Sequence, residues 1–186
     1  MEDIRGRVHL YTGDGKGKTS AAVGMAIRAI GAGMKVALLQ FDKGYDGGDD
    51  IYNERKILRS LNGLYLFSSG LSRFNEDGGF RSGITVEDKI EASVGLEKAA
   101  QVITCGKYDM VILDEAITVA NYGLVEREDV MNLIRLWEKE EGPCELVLTG
   151  RGAWQELIDA ADLVSEIVNV KHYFDKGHSA RRGVEY

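Results

Sequence analysis

The sequence predicts a doubly wound α/β fold, in which a mainly parallel sheet carries helices on both faces. Short β-rich apolar runs alternate along the whole chain with segments whose apolar residues recur every three or four positions. That alternation is typical of parallel strands joined by crossover helices. Several of the strand-like runs are apolar almost throughout, as expected for strands buried on both faces.

The amino-terminal part of the chain predicts a strand, a helix and a second strand. Arg7–Thr12 is a β-rich run that ends in a glycine cluster, and Lys35–Phe41 is a nearly continuous apolar run. Between them, alanine and larger apolar residues share one helical face: Ala21, Ala22, Met25, Ala26, Ala29 and Ile30. Gly31 and Gly33 are expected to stop this helix.

Two segments have no apolar period, and a modest helix around Ile51–Leu61 separates them. They are Asp42–Asp50 and Ser68–Gly83. Loops of this length in a compact domain are usually lids or binding loops. We expect Ser68–Gly83 to be mobile and to become ordered over a substrate.

The rest of the chain continues the alternation. A helix is predicted from Thr85, where Thr-Val-Glu-Asp resembles a capping box, to Gly106, with Val86, Ile90 and Val94 recurring every four residues. Further strands are predicted at Asp109–Asp114, Glu145–Thr149 and Val164–Val170. Two more helices are marked by Val130, Leu133, Ile134 and Trp137, ending before Gly142-Pro143, and by Trp154, Leu157, Ile158 and Ala161.

Length and composition narrow the class of protein. The 186 residues fit one domain spanning the whole chain, and 44% of them are hydrophobic, as in ordinary globular proteins. The formal net charge of −7 argues against electrostatic binding of nucleic acid. Cys105 and Cys144 lie far apart without a metal-ligand pattern, no apolar run reaches membrane-spanning length, and Met1–Gly6 is polar. We therefore expect a cytoplasmic protein.

The glycine cluster is a candidate phosphate-binding loop. Gly13, Asp14, Gly15, Lys16, Gly17, Lys18 and Thr19 lie between a predicted strand and a predicted helix. At such a junction backbone N–H groups and the helix dipole favour a bound anion. Lys18 would add a charge for the phosphates, and the Thr19 hydroxyl can ligate Mg²⁺. Because Thr12 replaces the first glycine of the strict motif, the loop is a shortened variant.

Two alternatives to this interpretation stay open. A dinucleotide-binding motif would use Gly13 and Gly15, with Asp42 as its ribose-binding acid, but it has Lys18 where a third glycine is required. A glycine-rich turn without a ligand is the other alternative. Three glycines, two lysines and a hydroxyl at one junction favour a triphosphate-binding loop over both alternatives.

Three further sets of residues could contribute to a site. Asp114 and Glu115 end a buried strand, where a Walker-B carboxylate would reach a metal ion directly or through water, although a solvated acidic turn would look the same. Arg151 follows another strand and could meet a phosphate or an acidic substrate, or belong to a plain turn. His172 and His178 have no zinc-binding spacing, so we interpret them as surface or hydrogen-bonded histidines.

With these residues in place, the sequence resembles the cob(I)alamin (corrinoid) adenosyltransferases of the CobA/BtuR/CobO type from Arg5 to Tyr186. The resemblance rests on short motifs spread over the chain: Thr12–Ser20 with Ala21-Ala22, Arg28–Gly33, Gln40–Gly44, Leu113–Glu115, Leu148–Gly152, Ala161–Glu166, Val170–Asp175 and Gly183–Tyr186. The chain departs from the family at Leu71–Phe74, where members usually carry an aromatic cluster thought to pack against the corrin. An Arg-Pro pair that often precedes the late strand is replaced by Lys139–Pro143.

The resemblance implies a RecA-like P-loop NTPase fold, a homodimer, and transfer of the 5′-deoxyadenosyl group of ATP to the Co(I) form of a corrinoid, with inorganic triphosphate leaving. It implies that Gly13–Ser20 hold the phosphates and that Thr19 and Glu115 serve Mg²⁺, with Asp114 as the second carboxylate. Lys18, Thr19 and Glu115 would carry catalysis, while Arg28 and Arg151 would contact substrate. A reduced corrinoid also implies a reductase partner, which the sequence does not identify.

The same residues are also compatible with two other functions. An ordinary P-loop ATPase or phosphotransferase would use the same loop but would need a residue that positions the attacking group, for which the sequence offers no convincing candidate. A non-catalytic carrier of ATP or corrinoid is a third hypothesis. Co(I) is itself a strong nucleophile, so adenosyl transfer needs only positioning and stabilisation of the leaving group.

Overall fold

Six parallel strands form a single sheet in the order β3-β2-β4-β5-β1-β6. A computed structural model describes residues 5–44, 50–73, 81 and 83–186. The strands are β1 Val8–Thr12, β2 Val36–Gln40, β3 Leu64–Ser68, β4 Met110–Asp114, β5 Glu145–Thr149 and β6 Leu163–Glu166. The all-parallel sheet confirms the predicted fold class. Strand β3 was not predicted, and β6 is shorter than the predicted strand.

The helices connect successive strands. In the described part of the chain they are α1 Lys18–Gly31, α2 Glu54–Leu58, α3 Val86–Thr104, α4 Ala116–Asn121, α5 Arg127–Lys139 and α6 Gln155–Asp159, and a 3₁₀ helix spans Tyr173–Lys176. The predicted helices are all present within a few residues of their expected bounds. Helix α4 and the 3₁₀ helix were not predicted.

Alternate residues of the central strands face opposite sides of the sheet. In β2, Ala37 and Leu39 belong to a core cluster with α3, α4 and α5, while Val36 and Leu38 belong to a second cluster with α1 and α2. This alternation follows from the two-residue period of a strand. A core on each face confirms the doubly wound arrangement.

Helix α3 packs through its small residues, not through the stripe that indicated it. Its predicted capping box is confirmed, since the Thr85 Oγ1 accepts from the Asp88 N–H at 3.2 Å and Asp88 Oδ2 accepts from the Thr85 N–H at 2.8 Å. However, Val86 is 70% exposed and Ile90 is 57% exposed, and the buried residues of the helix include Ala92, Gly95 and Ala99. The small residues allow the helix axis to approach the sheet closely.

Gly95 and Gly24 offer a matched pair of substitutions in helix interiors. A Cβ on Gly95 would lie 2.5 Å from the Ser69 Oγ and 2.7 Å from the Phe41 ring, whereas a Cβ on Gly24 would meet nothing within 4 Å. Overpacking costs about 1–3 kcal/mol, and alanine stabilises a helix by up to ~1 kcal/mol over glycine. We expect Gly95→Ala to lower the urea-unfolding free energy and Gly24→Ala to raise it. Equal shifts in both variants would contradict this packing.

A cluster of ion pairs holds the two ends of the long loop that follows β3. Arg81 donates to Asp88 through both terminal nitrogens, at 2.9 and 2.5 Å, and Arg73 pairs with Asp42 at 2.9 Å. The Arg81 N–H also donates to the Arg73 carbonyl at 2.7 Å. Residues 74–80 and 82 lie outside the described residues. The predicted mobile lid over Ser68–Gly83, of which Ser68 belongs to β3, therefore stays a prediction.

The Arg81 guanidinium holds the pKa of Asp88 well below its usual range. Because the pKa in the folded state lies below that in the unfolded chain, ionised Asp88 stabilises the fold above a pH of about 4 and loses this effect as the pH falls. We expect the unfolding free energy of the wild type to fall more steeply than that of Asp88→Asn between about pH 5 and about pH 3. Urea titrations at several pH values would show this, and parallel curves would refute it.

Candidate functional site

The loops after β1, β2, β4 and β5 meet at the carboxyl edge of the sheet around one large cleft. The cleft has a volume of about 1160 Å³ and is lined by Asp14–Ser20, Lys43, Glu115, Arg151 and part of the carboxyl-terminal segment. Open α/β sheets bind their ligands at this edge. Pockets for single small ligands usually measure roughly 300–1,000 Å³, so this cleft is as large as the largest of them.

The candidate phosphate loop has the backbone of an anion-binding site. It links β1 to α1, and Gly13 and Gly17 have positive φ angles of 97° and 125°, which glycine adopts without strain. The first helical bond of α1 runs from the Ala21 N–H to the Gly17 carbonyl at 2.8 Å. The N–H groups of Lys18, Thr19 and Ser20 therefore precede the helical ladder, as in other helix termini that bind anions.

Lys18 lies folded over the loop. Its Nζ donates to the Gly13 carbonyl at 2.7 Å and to the Gly15 carbonyl at 2.8 Å. An ammonium has three donors, so it can hold the loop with two of them and serve a phosphate with another. Burial lowers the pKa of Lys18, an effect that the nearby Glu115 carboxylate partly opposes.

The loop packs tightly against the backbone that follows β6. The Gly15 N–H donates to the Ile167 carbonyl at 2.7 Å, and the Ile167 N–H donates to the Thr12 carbonyl at 2.8 Å. A Cβ on Gly15 would lie 2.7 Å from the carbonyl oxygens of Ile167 and Val168. The glycine is therefore needed for close packing, and its N–H group is taken by the protein itself.

Asp114 is the centre of a buried hydrogen-bond network. Its Oδ1 accepts from the Thr19 hydroxyl at 2.9 Å and from the Thr149 hydroxyl at 2.7 Å, and its Oδ2 accepts from Lys43 Nζ at 2.6 Å and Gln40 Nε2 at 3.2 Å. Burial opposes ionisation, but Lys43 and these hydrogen bonds keep the pKa of Asp114 below its usual value. With four donors and no exposed surface, the carboxylate positions Thr19 and does not line the cleft. The predicted role of Asp114 in binding a metal ion, directly or through water, stays a prediction.

Glu115 has the strained backbone typical of a functional residue. Its φ of 66° and ψ of 13° place a non-glycine residue in the left-handed region at the start of α4. The Glu115 N–H donates to the Thr149 hydroxyl at 2.9 Å, and its carboxylate accepts from the Thr118 hydroxyl. These bonds hold the carboxylate at the cleft, where the sequence predicted a metal ligand.

Arg151 lies on the opposite loop of the cleft, after β5. Its N–H donates to the Thr118 hydroxyl at 2.9 Å, and its carbonyl accepts from Asn121 Nδ2 at 2.7 Å. Gly150 is required here because a Cβ would lie 2.5 Å from the Thr118 nitrogen. The turn is thus fixed against α4 and leaves the exposed guanidinium at the cleft.

The structure separates two predicted residues from this group. Arg28 is exposed in the last turn of α1 and does not line the cleft. Asp42, which a dinucleotide site would require, is bonded to Arg73 instead, at 2.9 Å. His172 does line the cleft, and its Nδ1 accepts from the Phe174 N–H at 3.0 Å, which confirms a hydrogen-bonded histidine.

Sequence reasoning missed Lys43 and the carboxyl-terminal segment as parts of the site. Lys16 donates to the Val184 carbonyl at 2.7 Å and pairs with Glu185 at 3.2 Å, while the Tyr173 hydroxyl also bonds to Glu185. The Tyr173 hydroxyl, Arg181 and Lys16 together lower the pKa of Glu185 to about 2. Lys43 and the carboxyl-terminal segment lie in two motifs that carried the family resemblance, Gln40–Gly44 and Gly183–Tyr186. That resemblance was the only signal for them in the sequence.

Some classes of site are absent from the part of the chain that the structure describes. There, no group of three or more histidine, cysteine or acidic side chains could hold a metal ion unaided. No described helix is both long and apolar enough to traverse a bilayer. Any metal ion in the cleft would need additional ligands from the bound phosphates or from water.

The fold and the cleft together define a P-loop nucleotide-binding protein. The family of ATP:corrinoid adenosyltransferases BtuR/CobO/CobP matches residues 4–186, and the chain belongs to this family. It is 33% identical to the corrinoid adenosyltransferase of Escherichia coli K12 over 186 residues, covering 100% of this chain and 88% of the relative. It is also 33% identical to that of Pseudomonas aeruginosa over 184 residues, covering 99% and 85%.

Proposed function

We propose that this protein transfers the 5′-deoxyadenosyl group of ATP to the Co(I) centre of a corrinoid, with cob(I)alamin or a close relative as the substrate. The observation that carries the proposal is the shared cleft, in which the phosphate loop, Glu115 and Arg151 meet at the carboxyl edge of the sheet. Membership of the family supports the same reaction. The electron pair of Co(I) attacks C5′, the C5′–oxygen bond breaks, and the triphosphate leaves with the bonding pair.

In this proposal the protein supplies position and charge. The amide groups at the start of α1 and the Lys18 ammonium hold the triphosphate, and Arg151 adds a charge from the opposite side of the cleft. Arg28 stays a predicted substrate contact, although it lies outside this cleft. Because the cobalt is the nucleophile, no side chain has to remove a proton.

Thr19 and Glu115 would hold a magnesium ion beside the bound phosphates. Both line the cleft and offer a hydroxyl and a carboxylate oxygen, and Mg²⁺ usually takes one or two such protein ligands together with phosphate oxygens. The ion would neutralise charge on the leaving triphosphate. Asp114 would act behind Thr19 by holding its hydroxyl.

Glu115→Gln tests this assignment because it removes a charge with little change of volume. We expect the substitution to reduce the Mg²⁺-dependent increase in ATP affinity by about tenfold or more, and to leave metal-free ATP affinity within about twofold. Calorimetric titrations with and without Mg²⁺ measure both quantities. An equal loss under the two conditions would assign Glu115 a structural role.

The cellular setting is part of the proposal. We expect a cytoplasmic homodimer, formed from one domain per chain, that receives reduced corrinoid from a reductase. The family resemblance supports the dimer and the reductase, and the family match over residues 4–186 supports a single domain. Sedimentation analysis of the purified protein would test the oligomeric state.

The reaction class is tested by its products. Adenosyl transfer yields inorganic triphosphate and a corrin with a new cobalt–carbon bond, whereas an ATPase or kinase yields ADP. Phosphorus NMR of a mixture of protein, ATP, Mg²⁺ and chemically reduced cobalamin would identify the phosphate product, and the visible spectrum would report the corrin. ADP formed at the rate of corrinoid turnover would establish the ATPase or phosphotransferase alternative. ATP binding without either product would establish a carrier.

A further inference from the structure

Lys43 brings a second, partly buried cation to the phosphate end of the cleft. It follows β2, and its Nζ lies 2.6 Å from Asp114 Oδ2 and 3.1 Å from the Thr19 Oγ1. Thr19 belongs to the first turn of α1, the turn whose free N–H groups make it an anion site. The ammonium therefore stands at the place where the bound phosphates would come closest to β4.

Within the Lys43–Asp114 pair, the cation is the partner that faces the cleft. The Lys43 side chain is 12% exposed and lines the cleft, whereas the Asp114 side chain is 0% exposed and does not. The carboxylate is also shared among three other donors, from Thr19, Thr149 and Gln40. An anion entering the cleft thus meets the ammonium before the carboxylate behind it.

A second layer of buried side chains fixes Lys43 in this position. Arg55 is fully buried and donates to the Lys43 carbonyl at 2.5 Å and to Gln40 Oε1 at 2.7 Å, while Gln40 donates onward to Asp114. The Lys43 N–H donates to the Ser69 carbonyl at 3.0 Å. Binding sites need supporting shells of this kind to keep a charge in place without reorganisation.

We propose that Lys43 binds the triphosphate directly and, together with Lys18, stabilises it as the leaving group, while Asp114, Gln40 and Arg55 position the ammonium. The catalytic part of this inference rests on the proposed adenosyl transfer. When the C5′–oxygen bond breaks, the triphosphate gains negative charge on its departing oxygen, and a fixed cation favours that state over bound ATP. The alternative is that Lys43 only neutralises the buried Asp114.

Binding of inorganic tripolyphosphate without metal separates these roles. In EDTA the protein's own cations must hold the anion, so a calorimetric titration reports Lys43 directly. We expect Lys43→Met to weaken tripolyphosphate binding by about 10-fold to 100-fold, as for the loss of a charge-assisted hydrogen bond. The matched control is Lys139→Met, on the exposed end of α5, for which we expect a change within about twofold. Equal affinity of Lys43→Met and wild type would overturn the inference.

If Lys43→Met does not fold, a second pair of variants tests the proposal in its place. Asp114→Asn removes the buried negative charge, and the double variant Lys43→Met/Asp114→Asn has no unpaired charge at this position. We expect the double variant to bind tripolyphosphate at least about tenfold more weakly than Asp114→Asn. If the two bind alike, Lys43 serves only Asp114. Circular dichroism and urea unfolding establish that each variant is folded.

The test of phosphate binding by Lys43 does not depend on whether the protein catalyses the proposed adenosyl transfer. A wild type that forms the cobalt–carbon bond, combined with unchanged tripolyphosphate affinity in the Lys43 variants, would overturn this inference alone. A wild type without adenosyl transfer, whose tripolyphosphate affinity still depends on Lys43, would refute the proposed reaction and retain the phosphate-binding role of Lys43.

Discussion

Replacing Lys18 with alanine is expected to reduce adenosyl transfer by roughly 10²–10³-fold or more, the range seen when a donor to a developing charge is removed. Lys18 is the cation enclosed by the phosphate loop, bonded to the carbonyls of Gly13 and Gly15, so its loss removes the charge held inside the loop. The loss should appear in kcat with saturating ATP and reduced corrinoid, followed through the visible spectrum of the corrin.

The fold should survive this substitution. Lys18 belongs to neither apolar cluster, and its bonds reach only the loop itself. Circular dichroism and urea unfolding of Lys18→Ala should therefore resemble the wild type, and Lys139→Ala, in an exposed helix end, should retain full activity. Retained activity in Lys18→Ala would exclude a phosphate-binding role for the lysine, and global unfolding would assign it a structural one.

The largest effect on stability is expected at Asp114. Asp114→Ala leaves the Lys43 ammonium buried without its counterion and deprives the Thr19, Thr149 and Gln40 donors of their acceptor. Removing one partner of a buried ion pair costs about 3–5 kcal/mol, a large share of the roughly 5–15 kcal/mol that stabilises a typical domain.

Urea unfolding measures this loss. Asp159→Ala, at the exposed end of α6, provides the matched control and should change the free energy of unfolding by no more than about 0.5 kcal/mol. Asp114→Asn should fall between the two, because the amide oxygen still accepts hydrogen bonds. A shift in Asp114→Ala as small as that of the control would mean that the network around Asp114 contributes little.

The sequence predicted the elements whose signal is local. Local sequence alone was enough to predict β2, β4, β5 and α5. A strand buried on both faces is a continuous apolar run, and a helix buried on one face has apolar residues every three or four positions. Strand β3 lacks that pattern, since each of its residues is only partly buried at the edge of the sheet. Helix α4 has six residues and follows the acidic pair directly, so no period could develop.

The apolar period in α3 indicated the helix correctly and its buried face wrongly. Val86, Ile90 and Val94 are exposed, because the middle of the buried face consists of small residues that a hydrophobic pattern does not mark. The space that Gly95 leaves for Phe41 depends on the separation of helix and sheet, which is a tertiary property. Helix propensity and the apolar period do not depend on this separation, so they could not predict it.

The sequence predicted those parts of the candidate site that lie within a single loop. The phosphate loop, Glu115 and Arg151 each follow a strand, and the parallel sheet brings these strand ends to one edge. Lys43 could not be assigned from its own surroundings in the sequence, because its partners Thr19 and Asp114 come from α1 and β4. The buried position of Asp114 likewise depends on donors from two strands, a loop and a helix.

The bond between Gly15 and Ile167 links nucleotide binding to the order in which the chain folds. Strand β1 forms the phosphate loop at its end, but the backbone that shapes this loop follows β6, at the far end of the sequence. Strand β1 pairs with β5 across a similar separation, so the bond to Ile167 is a further requirement. Even with β1 to β5 paired, the loop would lack this contact until β6 docks. Nucleotide affinity, measured during refolding, would therefore rise only with the docking of the last strand.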